Sequence, residues 1–502
     1  MKAPAKTLLL LLGGLLVIYG VAVGVESHMS IINTKLSIKL DPSVQHIPLD
    51  PAKEQLRPPP VQIPASFDIF VGISVFRDGY RCGKTILTGL KRAKYPKRLY
   101  FGVVDQVDDG DERCMDEYCK MAEAEWPGKG SCPYNDHIRV DLRKASKSRG
   151  PTLARHQQQK LIRQEEFCLQ LDGHSVFTNL WDENLLIELK RVNNEMAVLS
   201  TYLHNLHNFV KENGDNALTE AVPHLCSTTR GSHGVVRNVG ASMIRGSKFP
   251  QLQALWGAGL SFSKCHAERR VPVDSHTLWM FDGEEFLRAS RLWTNGYDFY
   301  SPSELGSVIY HNYSKVPARF EYIKYNTKAK KREVEMAVNR YKHLIGQPVK
   351  GMVDMQELEK FGFGSARSFD SYLEFSGVVL KKGSKDFGSC KQLHWVPYEN
   401  ATEIEELMGN KWKFEKNTKI SWPSADEENG ANIGDDEQAE GSKPFLSLEL
   451  LTRRSVNFSF SESLWLVLFV VVIAFFIKLS KDSISRSIRR SARSFHTRNS
   501  IK

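Results

Sequence analysis

The 502-residue chain contains no CxxC pair and no internal repeat. The first absence excludes a zinc framework, because such frameworks take their thiolates from closely spaced cysteine pairs. The second excludes solenoids and propellers, which repeat one structural unit along the chain. With 41% hydrophobic and 25% charged residues, the sequence is otherwise typical of a globular protein with one large domain or two to three smaller ones.

Long apolar runs are also scarce, and the two that occur lie near the chain ends. Residues 8–25 are uncharged and about 18 residues long, which is enough to cross a bilayer. Lys2 and Lys6 precede this run and predict a cytosolic N-terminus. A cleaved signal peptide is the alternative, but no small-residue cleavage pattern follows the run, so we expect an uncleaved anchor.

The second apolar run, residues 464–477, is short for a membrane span, and a buried strand or helix is the alternative. The tail after it, residues 478–502, carries eight Lys or Arg side chains and one Asp, which gives +7 of the whole-chain net charge of +10. A basic flank directly after an apolar run predicts a stop at the cytosolic face. This tail also accounts for the high pI, so we expect no nucleic-acid partner.

These segments predict a membrane-embedded protein of the Golgi or ER, with both termini cytosolic and the middle of the chain lumenal. All eight cysteines lie in the lumenal part, where an even number permits disulfides. The spacing of Cys114 and Cys119 lets a helical turn bring them close, and Cys168 fits a buried thiol. Glycosylation sequons begin at Asn312, Asn400 and Asn457.

Composition also divides the chain into segments. The predicted segments are residues 1–25 (cytosolic tip and signal-anchor transmembrane helix), 26–66 (stem), 67–400 (globular domain), 401–463 (linker with an acidic disordered stretch), 464–479 (transmembrane helix) and 480–502 (basic cytosolic tail). Within the globular domain, strand and helix patterns alternate. Strands are predicted at 67–76, 98–104, 137–142, 167–172 and 196–202, and helices at 82–94, 151–166, 182–192, 284–292 and 328–344. This alternation predicts an α/β fold with parallel βαβ units and a doubly wound sheet.

The most informative motif is the tripeptide of Asp172, Gly173 and His174. It follows an alternating strand, and ligands of open α/β sheets lie outside the carboxyl ends of the strands. Asp172 and His174 can therefore both reach one divalent cation, an arrangement suited to holding the diphosphate of a nucleotide sugar. An ordinary Asp-Gly turn is the alternative.

Six segments together resemble a known family. They are IFVGISVFRD (69–78), GPTLAR (150–155), LQLDGH (169–174) with Trp181 and Asp182, FDGEEF (281–286), RLWTNGYDFYSP (291–302) and VIYH (308–311). This set is similar to the hydroxyproline-directed and mucin-type polypeptide α-N-acetylglucosaminyltransferases, over roughly residues 67 to 384. The resemblance implies a GT-A glycosyltransferase domain, a Rossmann-like fold for nucleotide-diphospho-sugar transfer, with UDP-GlcNAc as donor and a protein as the acceptor.

The resemblance also implies a metal site. Asp172 and His174 would ligate Mn²⁺, and His311 would be a distant third ligand. A mixed carboxylate–imidazole set suits such an ion better than Ca²⁺, which prefers all-oxygen shells. For His311, a satisfied histidine beside a sequon is the alternative.

By the same resemblance, further residues would bind the donor. Arg155 would contact the nucleotide and could brace Asp172, unless it lies on a solvated helix face. Arg77 and Asp78 would lie near the uridine, although Gly79 and Tyr80 replace the Pro-Glu that often follows in the family. The loop of residues 256–259, which begins with Trp256 and Gly257, would line the sugar pocket, or be a packing turn.

Glu284 and Glu285 follow a glycine at a predicted helix start, where acids also complement the helix dipole. The resemblance places this segment against the donor sugar and the acceptor. Consecutive helical residues point about 100° apart, so we expect only one of the two to face the site. Arg155, Glu284 and Glu285 are thus the candidate catalytic residues.

The implied reaction retains the anomeric configuration, with the leaving phosphate deprotonating the acceptor hydroxyl, and needs no dedicated base. The expected enzyme transfers N-acetylglucosamine from UDP-GlcNAc to Ser, Thr or hydroxyproline. Two alternatives remain open at the level of sequence. The same fold can extend a glycan or glycolipid from another UDP-sugar, or serve as a catalytically silent membrane-anchored binder.

Overall fold

The computed structural model describes residues 37–38, 57–217, 221–314, 325–409 and 411–414. Both predicted membrane segments, the acidic stretch and the basic tail lie outside the described residues. Within the described ranges, no helix has the length and apolarity needed to cross a membrane.

The described part of the chain folds into fifteen strands and eleven α-helices. The strands are β1 (Ser37–Ile38), β2 (Ile69–Phe76), β3 (Leu99–Val107), β4 (Ile138–Lys144), β5 (Phe167–Asp172), β6 (Ser175–Phe177), β7 (Ala197–Thr201), β8 (Ala221–His224), β9 (Thr228–Arg230), β10 (Val236–Asn238), β11 (Ser242–Arg245), β12 (Gln251–Gln253), β13 (Leu260–Lys264), β14 (Asp298–Ser301) and β15 (Ile309–His311). The helices are α1 (Gly79–Arg92), α2 (Cys114–Glu125), α3 (Pro151–Gln159), α4 (Trp181–Val192), α5 (Leu206–Phe209), α6 (His266–Arg270), α7 (Glu284–Thr294), α8 (Thr327–Leu344), α9 (Leu358–Phe361), α10 (Phe369–Ser376) and α11 (Thr402–Leu407).

The central sheet has eight strands in the order β12-β14-β7-β13-β5-β2-β3-β4. The neighbours β5, β2, β3 and β4 run parallel, as do β14 and β7. The predicted α/β class and the parallel strands are confirmed, and the sheet also contains antiparallel strands, because β13 runs antiparallel between β5 and β7 and β12 antiparallel to β14. A short buried strand has the same pattern in either direction, so helix–strand alternation could not reveal these insertions.

The parallel core of the sheet positions the site. Ser74 of β2 pairs with Asp172 of β5, so the two strands end at the same edge. Alternate residues of β5 (Phe167, Leu169 and Leu171) join the main hydrophobic core, which also includes residues of α1 and α2. The apolar alternation therefore fixes the strand in place and leaves its last residue, Asp172, at the rim.

Packing contacts extend beyond residues 67–400 at both ends. In the predicted stem, Pro59 is buried and Gln62 N donates to Glu195 Oε2 at 2.6 Å. In the predicted linker, α11 packs on the domain through buried Ile404. Both segments are short and lack apolar periodicity, so their sequence does not indicate that they pack against the domain. The predicted helix 151–166 is also too long, since α3 ends at Gln159.

All eight cysteines form disulfides. The pairs are Cys82–Cys114, Cys119–Cys132, Cys168–Cys265 and Cys226–Cys390. The expected proximity of Cys114 and Cys119 does not lead to pairing, because a five-residue spacing turns their side chains well apart on α2. The expected buried thiol at Cys168 is also wrong, since this residue faces Cys265 on the side of β5 opposite to Leu169.

Candidate active site

Three metal-ligating side chains converge at the edge of the sheet. Asp172 ends β5, His174 lies in the following turn, and His311 ends β15, which pairs with β6 beside that turn. Asn312 N donates to the His174 carbonyl at 2.9 Å and holds the two segments together. The ligand atoms of Asp172, His174 and His311 all lie within 4.8 Å of one another. We call these three residues the metal cluster.

The protonation states of the metal cluster suit a divalent cation. Burial would raise the pKa of Asp172, but the hydrogen bond from His311 and the charge of Arg155 lower it to about 2. Burial lowers the pKa of His174 to about 4. At neutral pH the cluster therefore presents a carboxylate and a neutral imidazole, the forms in which these groups ligate metals. Among the described residues, the buried Nδ1 of His311 has no hydrogen-bond partner.

Arg155 links the metal cluster to α7. Its Nη2 lies 3.3 Å from Asp172 Oδ1, and its Nη1 donates to Glu284 Oε1. Only 11% of the Arg155 side chain is exposed, so the guanidinium does not lie on a solvated helix face. A buried arginine between two carboxylates fixes the orientation of both. Its contact with a nucleotide stays a prediction.

Arg77 and Asp78 follow β2 at the same edge of the sheet. Arg77 makes a bidentate pair with Asp111 at 2.6 and 2.8 Å. Asp78 accepts from Arg81 Nε at 2.6 Å and lies 3.8 Å from His174 Nδ1. Asp78 thus lies next to the metal cluster, whereas Arg77 is paired with Asp111 in the loop after β3. The proximity of either residue to a uridine is a prediction.

A cavity of about 390 Å³, here called the donor cavity, opens beside the metal cluster. Asp172, His311, Arg155, Glu284 and Glu285 line it. The expectation that only one of the two glutamates faces the site is wrong, because the cavity extends around the first turn of α7. Gly283, with φ of +92°, turns the chain directly before this helix.

Each glutamate has its own set of partners. Glu284 pairs with Arg155, whereas Glu285 accepts hydrogen bonds from the Tyr202 hydroxyl and, at 2.9 Å, from Ala258 N. Burial raises the pKa of Glu285 to about 7. Burial also raises the pKa of Glu284, against the opposing charge of Arg155. The donor cavity therefore places a charge-paired carboxylate beside one that titrates near neutral pH.

The expected position of Trp256 and Gly257 differs from the observed one. Trp256 is 1% exposed, and its indole N–H donates to Ser261 Oγ at 3.0 Å in the interior. Gly257 N is bound to Ser200 Oγ at 2.9 Å. Of the predicted loop, only its last two residues, Ala258 and Gly259, line the donor cavity. A tryptophan in a glycine-rich loop carries no signal in the sequence for whether it points inward.

Several other cavity-lining residues carry no prediction from the sequence. They are Tyr202, Leu203, Arg237, Asn238, Val239, Gly240, Phe281, Asp282 and Tyr313. Tyr202 follows the carboxyl end of β7, a position that could have indicated it. Arg237 and Asn238 lie on the β9–β10 hairpin, which carries no such signal.

Comparison with known proteins supports the assignment as a glycosyltransferase. The model of the family Glycosyltransferase (GlcNAc) matches residues 68–132 and 116–382, well over half of the chain. No curated protein matches. Solved structures resemble the chain only distantly. GalNAc-T7 with UDP, GalNAc and Mn²⁺ is 15% identical with a TM-score of 0.40, covering 61% of this chain and 57% of its own.

Two further structures are similar at a lower level. The mannosyltransferase PcManGT from Pyrobaculum calidifontis, in complex with GDP-Man and Mn²⁺, is 14% identical with a TM-score of 0.32, covering 60% of this chain and 71% of its own. S. aureus TarS 1–349 is 11% identical with a TM-score of 0.30, covering 55% and 72%. With TM-scores this low, none of the three structures indicates the activity of this chain. From the match to the family model, the chain belongs to the GlcNAc glycosyltransferase family.

Proposed function

We propose that the protein transfers N-acetylglucosamine from UDP-GlcNAc to a Ser, Thr or hydroxyproline hydroxyl, with retention of configuration, as a GT-A enzyme. The observation that carries the proposal is the convergence of Asp172, His174 and His311 beside the donor cavity. The three residues come from two distant segments of the chain, and a purely structural role does not require their ligand atoms to meet at one point. The family match supports the same activity.

The metal cluster would hold Mn²⁺, which when bound neutralises the diphosphate and the charge that develops on it. Arg155 keeps Asp172 ionised and oriented, and its pairing with Glu284 couples the cluster to α7. Such preorganised charge costs little reorganisation during the reaction. The leaving phosphate takes the proton of the acceptor hydroxyl, so no side chain acts as a dedicated base.

Glu285 is our candidate residue for recognition of the donor sugar. Its carboxylate lines the donor cavity and is held by Tyr202 and Ala258 N, so it can accept hydrogen bonds from sugar hydroxyls in a fixed geometry. A site built for such a bond discriminates strongly against analogues that cannot make it. A hydroxyl contact alone does not separate GlcNAc from glucose, so the expected preference for UDP-GlcNAc over UDP-glucose and UDP-galactose rests on the match to the family model.

The four disulfides support an oxidising compartment, consistent with a Golgi or ER enzyme whose catalytic domain is lumenal. Membrane embedding rests on the apolar segments of the sequence.

The test is hydrolysis of a panel of UDP-sugars by the detergent-solubilised full chain, with and without Mn²⁺. We expect Mn²⁺-dependent turnover that is highest with UDP-GlcNAc. His311→Ala should abolish it, whereas the exposed His207→Ala should not. Equal turnover with and without Mn²⁺ would overturn the metal assignment. Equal turnover with UDP-galactose and UDP-GlcNAc would contradict the proposed donor sugar but not the proposed metal site.

A further inference from the structure

A second cavity adjoins the donor cavity. It measures about 310 Å³ and lies between the turn of the β9–β10 hairpin, residues 278–282 and α8. We call it the side cavity. Phe281 and Asp282 line both cavities, so the two share a wall. The side cavity is therefore a direct neighbour of the donor cavity, separated from it by these two residues.

The side cavity has a mostly apolar lining, which includes Val235, Leu278, Trp279, Met280, Val334, Ala337 and Val338. Its polar members are Ser232, Asp282 and the exposed His233, all at the end near the turn of the hairpin and the ridge. The acid in its wall, Asp282, is already occupied, because it accepts from Ser232 N and Oγ at 2.7 and 2.9 Å and faces Arg237 at 3.3 Å. Hydroxyl groups buried here would lose their hydrogen bonds to water at a considerable cost. The cavity thus favours an aliphatic or aromatic group over a sugar.

Two unusual aromatic residues border this cavity. Phe281, on the ridge between the cavities, is 73% exposed. Trp279 has a φ of +63°, an unfavourable conformation for a bulky residue, and Gly150 approaches so closely that a Cβ there would lie 2.9 Å from Trp279 Cα. An exposed aromatic side chain and a strained backbone beside a cavity are typical of recognition sites.

We infer that the side cavity is a subsite for the polypeptide acceptor, which takes an apolar side chain near the glycosylated residue while the peptide backbone crosses Phe281. This inference rests on the proposed function. An extended chain advances about 3.3–3.6 Å per residue, so a side chain within a few positions of the modified hydroxyl can reach the neighbouring cavity. A glycan would present hydroxyls along its whole length, and the apolar majority of this lining cannot pair them.

The test uses the detergent-solubilised full chain with Mn²⁺, UDP-GlcNAc and two peptides that differ only in whether leucine or glycine flanks one hydroxyl residue. An oligosaccharide and a glycolipid are the other acceptors. We expect kcat/KM to favour the leucine peptide by at least about 10-fold. Val338→Trp, which fills the side cavity, should remove this preference while hydrolysis of UDP-GlcNAc without acceptor stays unchanged.

Phe281→Ser should raise KM for the leucine peptide, and because the side chain is exposed, the variant should fold. Phe387, which is 90% exposed and lines neither cavity, offers the matched control Phe387→Ser. Equal kcat/KM for the two peptides, or transfer to the glycolipid or oligosaccharide alone, would overturn the inference. Absence of Mn²⁺-dependent hydrolysis in the unmodified enzyme would instead overturn the proposed function, and the inference with it.

Discussion

At the scale of the single residue, Asp172 belongs to the metal cluster and also forms an ion pair with Arg155. Asp172→Asn keeps the shape of the side chain and removes its negative charge. Mutation of a residue that only supports a metal ligand typically lowers metal affinity or activity by about 10- to 100-fold. Since Asp172 is itself a proposed ligand, we expect this change to lower Mn²⁺ affinity and kcat/KM by more than about 100-fold. Calorimetric titration with Mn²⁺ and the hydrolysis assay would measure both.

The Asp172 variant should lose some stability at neutral pH but still fold, because the lowered pKa means that the folded state favours the ionised carboxylate, while a third of this side chain is exposed at a strand end. His207→Ala serves again as the control. Mn²⁺ affinity and turnover within a few-fold of the unmodified enzyme would show that the cluster does not hold the ion.

Glu285 leads to a prediction about pH. Burial raises its pKa in the folded state to about 7 from an ordinary value of 4.5. The folded state therefore binds this proton more tightly than the unfolded state. Its contribution to stability is fully present below pH 4.5 and is lost as the pH rises to about 7. Glu285→Gln, which mimics the protonated form, should be the more stable protein above pH 7, by up to about 3 kcal/mol.

Urea unfolding at pH 5 and pH 8 would measure this difference. The exposed Glu212→Gln is the control and should show the same stability as the unmodified protein at both values. A Glu285→Gln variant no more stable at pH 8 than at pH 5, relative to the unmodified protein, would contradict the raised pKa.

At the scale of the element, the β9–β10 hairpin forms a wall of both cavities and is held from outside by Asp386. This carboxylate pairs with Arg230 at 2.7 and 2.8 Å and accepts from Thr228 Oγ1 and Val379 N. Asp386→Asn removes the charge, and we expect a loss of roughly 2 kcal/mol, because breaking a largely buried pair is costly. Hydrogen exchange should accelerate in residues 228–240 and remain unchanged in β2 and β5.

The matched control is Glu304→Gln, which breaks the exposed Lys248–Glu304 pair and should cost less than about 1 kcal/mol. Uniform acceleration of exchange across the whole sheet would show that Asp386 supports global stability rather than the hairpin.

The elements also show how far the sequence could predict the fold. The alternation of β5 fixed its buried face and placed Asp172 at its end, because apolar periodicity determines which face packs. The antiparallel direction of β13 and the pairing of Cys168 depend on segments distant in the chain, which local patterns do not encode. Glu285 is a candidate only through the family resemblance, and its raised pKa comes from burial that only the folded structure provides, against the opposing hydrogen bond from Tyr202.

At the scale of the whole molecule, the proposal concerns the compartment that holds the catalytic domain. Lys2 and Lys6 before the first apolar run, and the +7 tail after the second, predict that both termini are cytosolic. The disulfide from Cys226 to Cys390, which joins positions 164 residues apart, requires an oxidising environment for the region between the runs. Protease added to sealed microsomes should therefore remove tags from both ends of the chain and spare residues 57–414. Detergent should abolish this protection, and a C-terminal tag that resists protease in intact vesicles would show that residues 464–477 do not span the membrane.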